Sequence, residues 1–201
     1  IRTAESSGAL RDGILVPLGS TVAAVAVPPK SAKPDISTPE KFKAALLGAK
    51  RIAVSDPARG ATVDVTPADV ANAIAVSGYG GFLVAQQAAR AMLPRGRGSI
   101  LLTGASASVK GYPQSTAFAM GKFALRGMAQ SMAREFAPQG LHVAHFVIDG
   151  GIRSASRPVP DNAPDSLLDP DAIAETYWAT LMQHRSAWSW EIEVRPWLEK
   201  F

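Results

Sequence analysis

Cysteine is missing altogether from the 201 residues, which removes disulfides, thiolate nucleophiles and Cys-based metal sites. Histidine is scarce, with three in the chain. His142 and His145 fall on opposite faces of an apolar run that reads as a strand, and His184 ends a helix where a cation is welcome. No metal site is expected. The 21 basic residues barely outnumber the 17 acidic ones and form no block, so no nucleic-acid partner is expected. Runs of about eighteen apolar residues are also lacking, which argues against a membrane span. The start of the chain carries no signal-type pattern, and a cytoplasmic location is the expectation. What remains is ordinary globular composition, 47% hydrophobic and 19% charged, with length enough for a sizeable core.

Taken in order, residues 1–20 show no clear period. Thr21 to Val27 is a short β-branched apolar run stopped by Pro28-Pro29, as in a buried strand. Thr38 then caps a helix, with Pro39 at its first position, and Arg51 to Asp56 forms another strand. Together these predict a β-α-β segment over residues 1–63. Thr66 caps the next helix, with Pro67 first and Asp69 three residues on, running to about Met92. Ser77, Gly78, Gly80 and Gly81 interrupt its middle, which predicts a close backbone contact with a neighbour or cofactor, or a kink. Ser99 to Gly104 reads as a strand, Thr116 to Phe136 as a helix stopped by Gly140, and Leu141 to Ile148 as a buried strand. A Pro-, Ser- and Asp-rich loop from Arg153 to Leu168 follows. Asp169 caps a last helix reaching about His184, and Trp190 to Val194 is a final strand. The apolar band on helix 116–136 is too wide for one-sided packing, so it calls for further protein or a second subunit.

The alternation of strands and helices predicts an α/β fold with a mainly parallel, Rossmann-like sheet and helices on both faces. Ligands in such sheets bind outside the carboxyl ends of the strands. The turns that end at Gly104 and at Gly150 would then face one crevice.

Two resemblances add to this reading. Residues 20–62, STVAAVAVPPKSAKPDISTPEKFKAALLGAKRIAVSDPARGAT, resemble part of the molybdate-type periplasmic solute-binding proteins, without the serine loops that bind the oxyanion there. From about Val65 onward the blocks GGFLVAQQAARAMLPRGRGSILLTGASAS, STAFAMGKFALRGMAQSMAREF and GLHVAHFVIDGGI resemble the C-terminal two-thirds of a short-chain dehydrogenase/reductase. The resemblance divides the chain into a segment 1–63 and a dehydrogenase-like domain 64–201. It implies NAD or NADP as cofactor, a small-molecule substrate, and a homo-oligomer built through helices 67–92 and 116–136.

In that family a Tyr-x-x-x-Lys pair on one helical face moves the proton that accompanies hydride transfer. The matching residues are Phe118 and Lys122, so the lysine is kept and the phenol is gone; phenylalanine has no proton to give. The family's substrate-orienting serine corresponds to Ala105, and its helix asparagine to Ser77. Ser106 is a neighbouring hydroxyl, although it would point away if the strand continued. Tyr112, in the loop ahead of the helix, is the candidate substitute acid. Lys122 would hold the nicotinamide ribose, with Ser77, Gly104, Gly150, Ile152 and Ser154 as further cofactor contacts by resemblance. Asp149 stands where the family's glycine turn has a proline. No Gly-x-x-x-Gly-x-Gly phosphate loop precedes residue 65. The expectation is an NAD(P)-linked oxidoreductase, weak or inactive in ordinary carbonyl chemistry. The alternatives are a non-catalytic binding or assembly module made of two fused fragments and, further off, oxyanion binding.

Overall fold

A computed structural model describes residues 60–198 together with Asp35, Thr38, Glu40, Lys41 and Ala44. The expected strands 21–27 and 51–56 lie outside the described residues. Of the helix expected from Thr38, the cap is seen: Thr38 Oγ1 accepts the Lys41 N–H at 3.2 Å.

Helix α1 (Pro67–Ile74) begins where the sequence places it. Thr66 Oγ1 accepts from Asp69 N–H at 3.2 Å, and the Asp69 carboxylate accepts the Thr66 N–H at 3.0 Å, a reciprocal capping box. Ala75–Tyr79 then forms a π-turn before α2 (Gly80–Met92). The interruption at Ser77–Gly81 is thus both a π-bulge and a close approach. A Cβ on Gly78 would lie 2.9 Å from the Ala124 Cβ, and one on Gly81 would lie 2.5 Å from Leu125 Cδ1. The whole run Pro67–Arg95 is long and apolar enough, by length and composition, to cross a membrane, although it holds no unbroken apolar stretch. Its Gly78 and Gly81 pack on Ala124 and Leu125 of the next helix.

Strand β1 (Gly98–Thr103) leads through a 3₁₀ turn at Ser106–Ser108 to the long helix α3 (Thr116–Phe136). Gly140, at φ +85°, ends the following turn and starts β2 (Leu141–Ile148), all eight of whose residues are buried. The loop after β2 is pinned at both ends, since Arg153 N–H donates to the Leu168 carbonyl and Leu168 N–H to that of Gly151. Asp169 then caps α4 (Pro170–Leu181), which stops three residues short of the expected end, and β3 (Glu191–Val194) follows. Among the described residues the sheet has three strands in the order β1-β2-β3, all parallel.

Helices cover both faces. Ala85 and Ala89 of α2 and Met132 and Ala133 of α3 pack on Ile100, Leu141 and Val143. On the other face Ala144, Phe146 and Ile148 meet Leu168, Ile173 and Tyr177, with the Phe146 and Tyr177 rings stacked 3.6 Å apart. This is the expected Rossmann-like arrangement. The wide band on α3 is also explained in part: Ala117, Gly121, Leu125 and Ala129 are buried, whereas Met120 and Phe123 are exposed.

One carboxylate ties α3, β2 and β3 together. Arg126 Nε and Nη2 donate to the two Glu191 oxygens at 2.6 and 2.8 Å, and His145 Nδ1 lies 3.2 Å from Glu191 Oε2. The Arg126 hydrogen bond holds the Glu191 carboxyl below its ordinary range against burial, which acts upward. A carboxyl lowered by folding stabilises the fold above its unfolded pKa and loses that contribution as pH falls through the folded value. Urea unfolding of the native chain and Glu191→Gln should therefore differ most near neutral pH and converge in acid; a pH-independent gap contradicts this.

Candidate active site

Beyond the carboxyl end of β1 lies a pocket of about 380 Å³ lined by Ala105, Ser106, Tyr112, Gln114, Ser115 and Phe118, among others. Its position follows from the chain path. After Thr103 the strand geometry ends, and Ser106–Ser108 winds into a 3₁₀ turn with Ser108 N–H on the Ala105 carbonyl. The expectation that Ser106 points away rests on a continued strand, and the turn corrects it: Ser106 and Ala105 line the same wall. Tyr112 is held in the loop by its N–H on Ser115 Oγ at 3.1 Å, and it is about half-exposed.

Phe118 and Lys122 share one face of α3, with the Lys122 ammonium 5.8 Å from the Phe118 ring centre. Lys122 Nζ donates to the Thr103 carbonyl at 3.4 Å, and burial pushes it below the ordinary lysine range. That single bond leaves donors on the ammonium for ligand hydroxyls. Phe118 and Ala105 present neither hydroxyl nor acid at the two positions where the chemistry would use them.

Gly104 has a packing reason. A Cβ there would overlap His145 Nε2 and come 2.6 Å from Ser108 Oγ. His145 and Ser108 are both fully buried, and His145 Nε2 has no hydrogen-bond partner. Burial pushes the His145 imidazole below its ordinary range, against the Glu191 hydrogen bond and charge. His142 takes a different environment, on the Ser189 carbonyl at 2.8 Å and stacked on Trp188.

The remaining candidates are spread out. Ser77 sits in the π-turn at the helix crossing, where its Cβ lies 3.2 Å from a Cβ built on Gly121, next to Lys122. Gly150, at φ +147°, turns the chain beyond β2. Ile152 is exposed and bridged to Leu168, and Ser154 pairs with Arg157 and, through its hydroxyl, with Ser156. These three are not among the pocket's lining residues.

Sequence reasoning passed over Lys110 and undervalued Asp149. The Asp149 carboxylate, 1% exposed, meets Lys110 Nζ at 2.6 Å. The signal was a charge directly after eight apolar strand residues, because a buried carboxylate requires a partner. Lys110 is the only cation between β1 and α3.

A parallel sheet covered on both faces, with a half-buried lysine and a pocket at the carboxyl ends of its strands, defines an α/β protein of the Rossmann kind. The family model described as enoyl-(acyl carrier protein) reductase matches residues 40–167. The chain belongs to the short-chain dehydrogenase/reductase family. A short-chain dehydrogenase structure from Rhodopseudomonas palustris is 35% identical, with a TM-score of 0.60 over 72% of this chain and 60% of that one. Secoisolariciresinol dehydrogenase of Forsythia intermedia is 33% identical over 90 residues, 45% of this chain and 32% of that protein. A Burkholderia cenocepacia gluconate 5-dehydrogenase, solved with NADP and tartrate, shares the fold at 20% identity and a TM-score of 0.61, over 71% of this chain and 61% of that one. The chain spans about a third or less of the length of the curated relatives it matches.

The close fit of His145 under Gly104 gives a direct expectation. Gly104→Ala should destabilise the fold by about 1–3 kcal/mol in urea unfolding, as overpacking does. An unchanged midpoint would show that the loop yields freely.

Proposed function

We propose that the chain is an NAD(P)-linked oxidoreductase of reduced activity toward ordinary carbonyl and alcohol substrates. The observation that carries this is Lys122: its half-buried ammonium stands beside the pocket at the end of β1 with donors to spare. Those donors suit the ribose hydroxyls of a nicotinamide nucleotide. The turn at Gly150 and the backbone to Ile152 lie at the end of β2, the neighbouring strand, where they would meet the carboxamide end, with Ser154 and Ser77 as outer contacts. The bound nucleotide would supply a hydride donor or acceptor. Lys122 orients the ribose, and Ala105, Ser106, Tyr112 and Phe118 enclose the substrate.

Reduced activity follows from two losses. Phe118 cannot protonate an oxygen, and Ala105 cannot orient one, which removes a contribution that is typically about 10²–10⁴-fold for the proton transfer alone. No glycine-rich phosphate turn joins a strand to a helix among the described residues, so the nicotinamide end carries the binding argument. We take residues 1–63 as a separate segment fused ahead of this domain, and the location as cytoplasmic.

A specific observation favours association as well. Tyr79, Phe82 and Val84 of the α1–α2 run and Met120 and Phe123 of α3 are exposed apolar residues on neighbouring helices. We read them as the face joined to a second copy of the chain. Light scattering at micromolar concentration should give a species larger than the monomer; a well-behaved monomer removes this part of the reading.

Fluorescence titration with NADH and NADPH tests the cofactor. At least one should bind, and Lys122→Ala should weaken it by about tenfold or more. Affinity weaker than about 1 mM for both would sink the assignment. Phe118→Tyr should raise turnover by about tenfold or more by restoring a phenol beside Lys122.

A further inference from the structure

One backbone angle at the pocket is out of keeping with its residue. Gln114, at φ +63°, is the single non-glycine residue with a positive φ among the described residues. A left-handed conformation is unfavourable for a residue with a Cβ and persists only where its surroundings impose it. The chain from Gly60 to Thr62 does so. The Gly60 N–H donates to the Gln114 carbonyl at 3.1 Å, and the Thr62 and Thr116 hydroxyls meet at 2.7 Å. The turn ahead of it is closed by Ser115, whose N–H and hydroxyl donate to the Tyr112 carbonyl at 3.2 and 2.8 Å. Ser115 Oγ also accepts the Tyr112 N–H at 3.1 Å, so that hydroxyl is used up within the turn.

The side chain of Gln114 is not used by the fold. Its carboxamide has no hydrogen-bonded partner among the described residues, and the residue is exposed. Glycine would hold the same left-handed turn with less strain, and asparagine is better suited to it. Packing and stability therefore do not explain a glutamine here. It belongs instead to the pocket lining, which carries no charged side chain. A free carboxamide in such a lining offers two N–H donors and one carbonyl acceptor.

We propose that Gln114 binds the substrate oxygen in this pocket, and that the substrate is a neutral carbonyl compound or the matching alcohol. The choice of a carbonyl and alcohol pair rests on the oxidoreductase reading; the binding role of Gln114 goes beyond it. A carbonyl oxygen only accepts, and Gln114 Nε2–H donates to it. An alcohol also donates, and Gln114 Oε1 accepts. One carboxamide thus serves both members of the pair, which neither an ammonium nor a carboxylate can do. Ala105 offers that oxygen nothing, so the hydrogen bond comes from the loop. The imposed φ sets the direction of the side chain, which reaches the lining. An ionised substrate is disfavoured, because no lining side chain would pair with it and burying an unpaired ion is costly. Lys122, 5.8 Å from the Phe118 ring centre, is assigned to the ribose in the same reading.

The test uses the full chain without nucleotide. Cyclohexanone and cyclohexanol, followed through the amide NMR signals of Ala105, Ala107 and Ser115, should both bind saturably. Cyclohexanecarboxylate should not. Gln114→Ala keeps the strained backbone and loses the carboxamide. Its affinity for both neutral probes should fall about three- to tenfold, with the urea midpoint unchanged. Gln114→Asn keeps a carboxamide in a residue that tolerates the turn, so it should restore part of the loss. Gln114→Gly should raise the urea midpoint by relieving the strain, yet bind as poorly as Gln114→Ala. Tyr112→Phe should bind like the native chain. Native affinity in Gln114→Ala, an equal loss in Tyr112→Phe, equal binding of the carboxylate, or no saturable binding of cyclohexanone by the native chain each overturns the proposal. A lowered midpoint in Gln114→Gly also overturns it, because the glutamine would then serve the fold. Nucleotide binding is measured apart. A chain that binds the ketone through Gln114 and neither nucleotide keeps this proposal and loses the NAD(P) reading; one that binds a nucleotide and not the ketone does the reverse.

Discussion

The Glu191 carboxylate is the point on which the described fold hangs. It comes from the last strand, yet it grips Arg126 on the long helix and His145 on the central strand. A bidentate arginine–carboxylate pair has fixed geometry as well as energy, so it sets the rotation of α3 about its axis. Lys122 lies one turn before Arg126, and Phe118 one turn before that, so the same anchor aims both at the end of β1. His145, held by its Nδ1, fills the space that a side chain on residue 104 would take, and the chain after β1 must bend over it. Local helix propensity could not enforce any of this, because the partners are far apart in sequence.

Strand, pocket, lysine and glycine turn keep their places, while the pocket wall presents Phe118 and Ala105 where a phenol and a hydroxyl would serve. A second charged pair, Lys110–Asp149, joins the same strand ends. Burying a carboxylate and an ammonium together offsets little or nothing of its own desolvation cost. Lys110–Asp149, with the lysine about one-third exposed, fixes the spacing of the two strand ends more than it stabilises them.

Much of this was legible in the sequence. Helix 116–136 announced itself by its 3.6-residue period and the glycine stop at Gly140, and the start of α1 by Thr66, Pro67 and Asp69. Strand 141–148 was plain because a fully buried parallel strand is continuously apolar. The conformation of Ser106 was not legible, since a 3₁₀ turn directly after a strand leaves no pattern that distinguishes it from one more strand residue. Nor were the pairings of Arg126 with Glu191 and Lys110 with Asp149, which join residues 65 and 39 apart. Such pairings are set by sheet order and packing. The reason for Gly104 was hidden likewise, because it belongs to His145 on the adjacent strand.

The central claim is that this crevice still receives the nicotinamide end of a dinucleotide. The most direct measurement is an amide NMR titration of the intact chain with NADPH and NADH. Saturable shifts should cluster at Thr103, Lys122, Gly150 and Ile152, leaving unmoved the apolar groove that Leu101, Ile173, Tyr177, Trp178 and Leu181 form between β1 and α4. Shifts confined to that groove, or none at either site, would contradict the account.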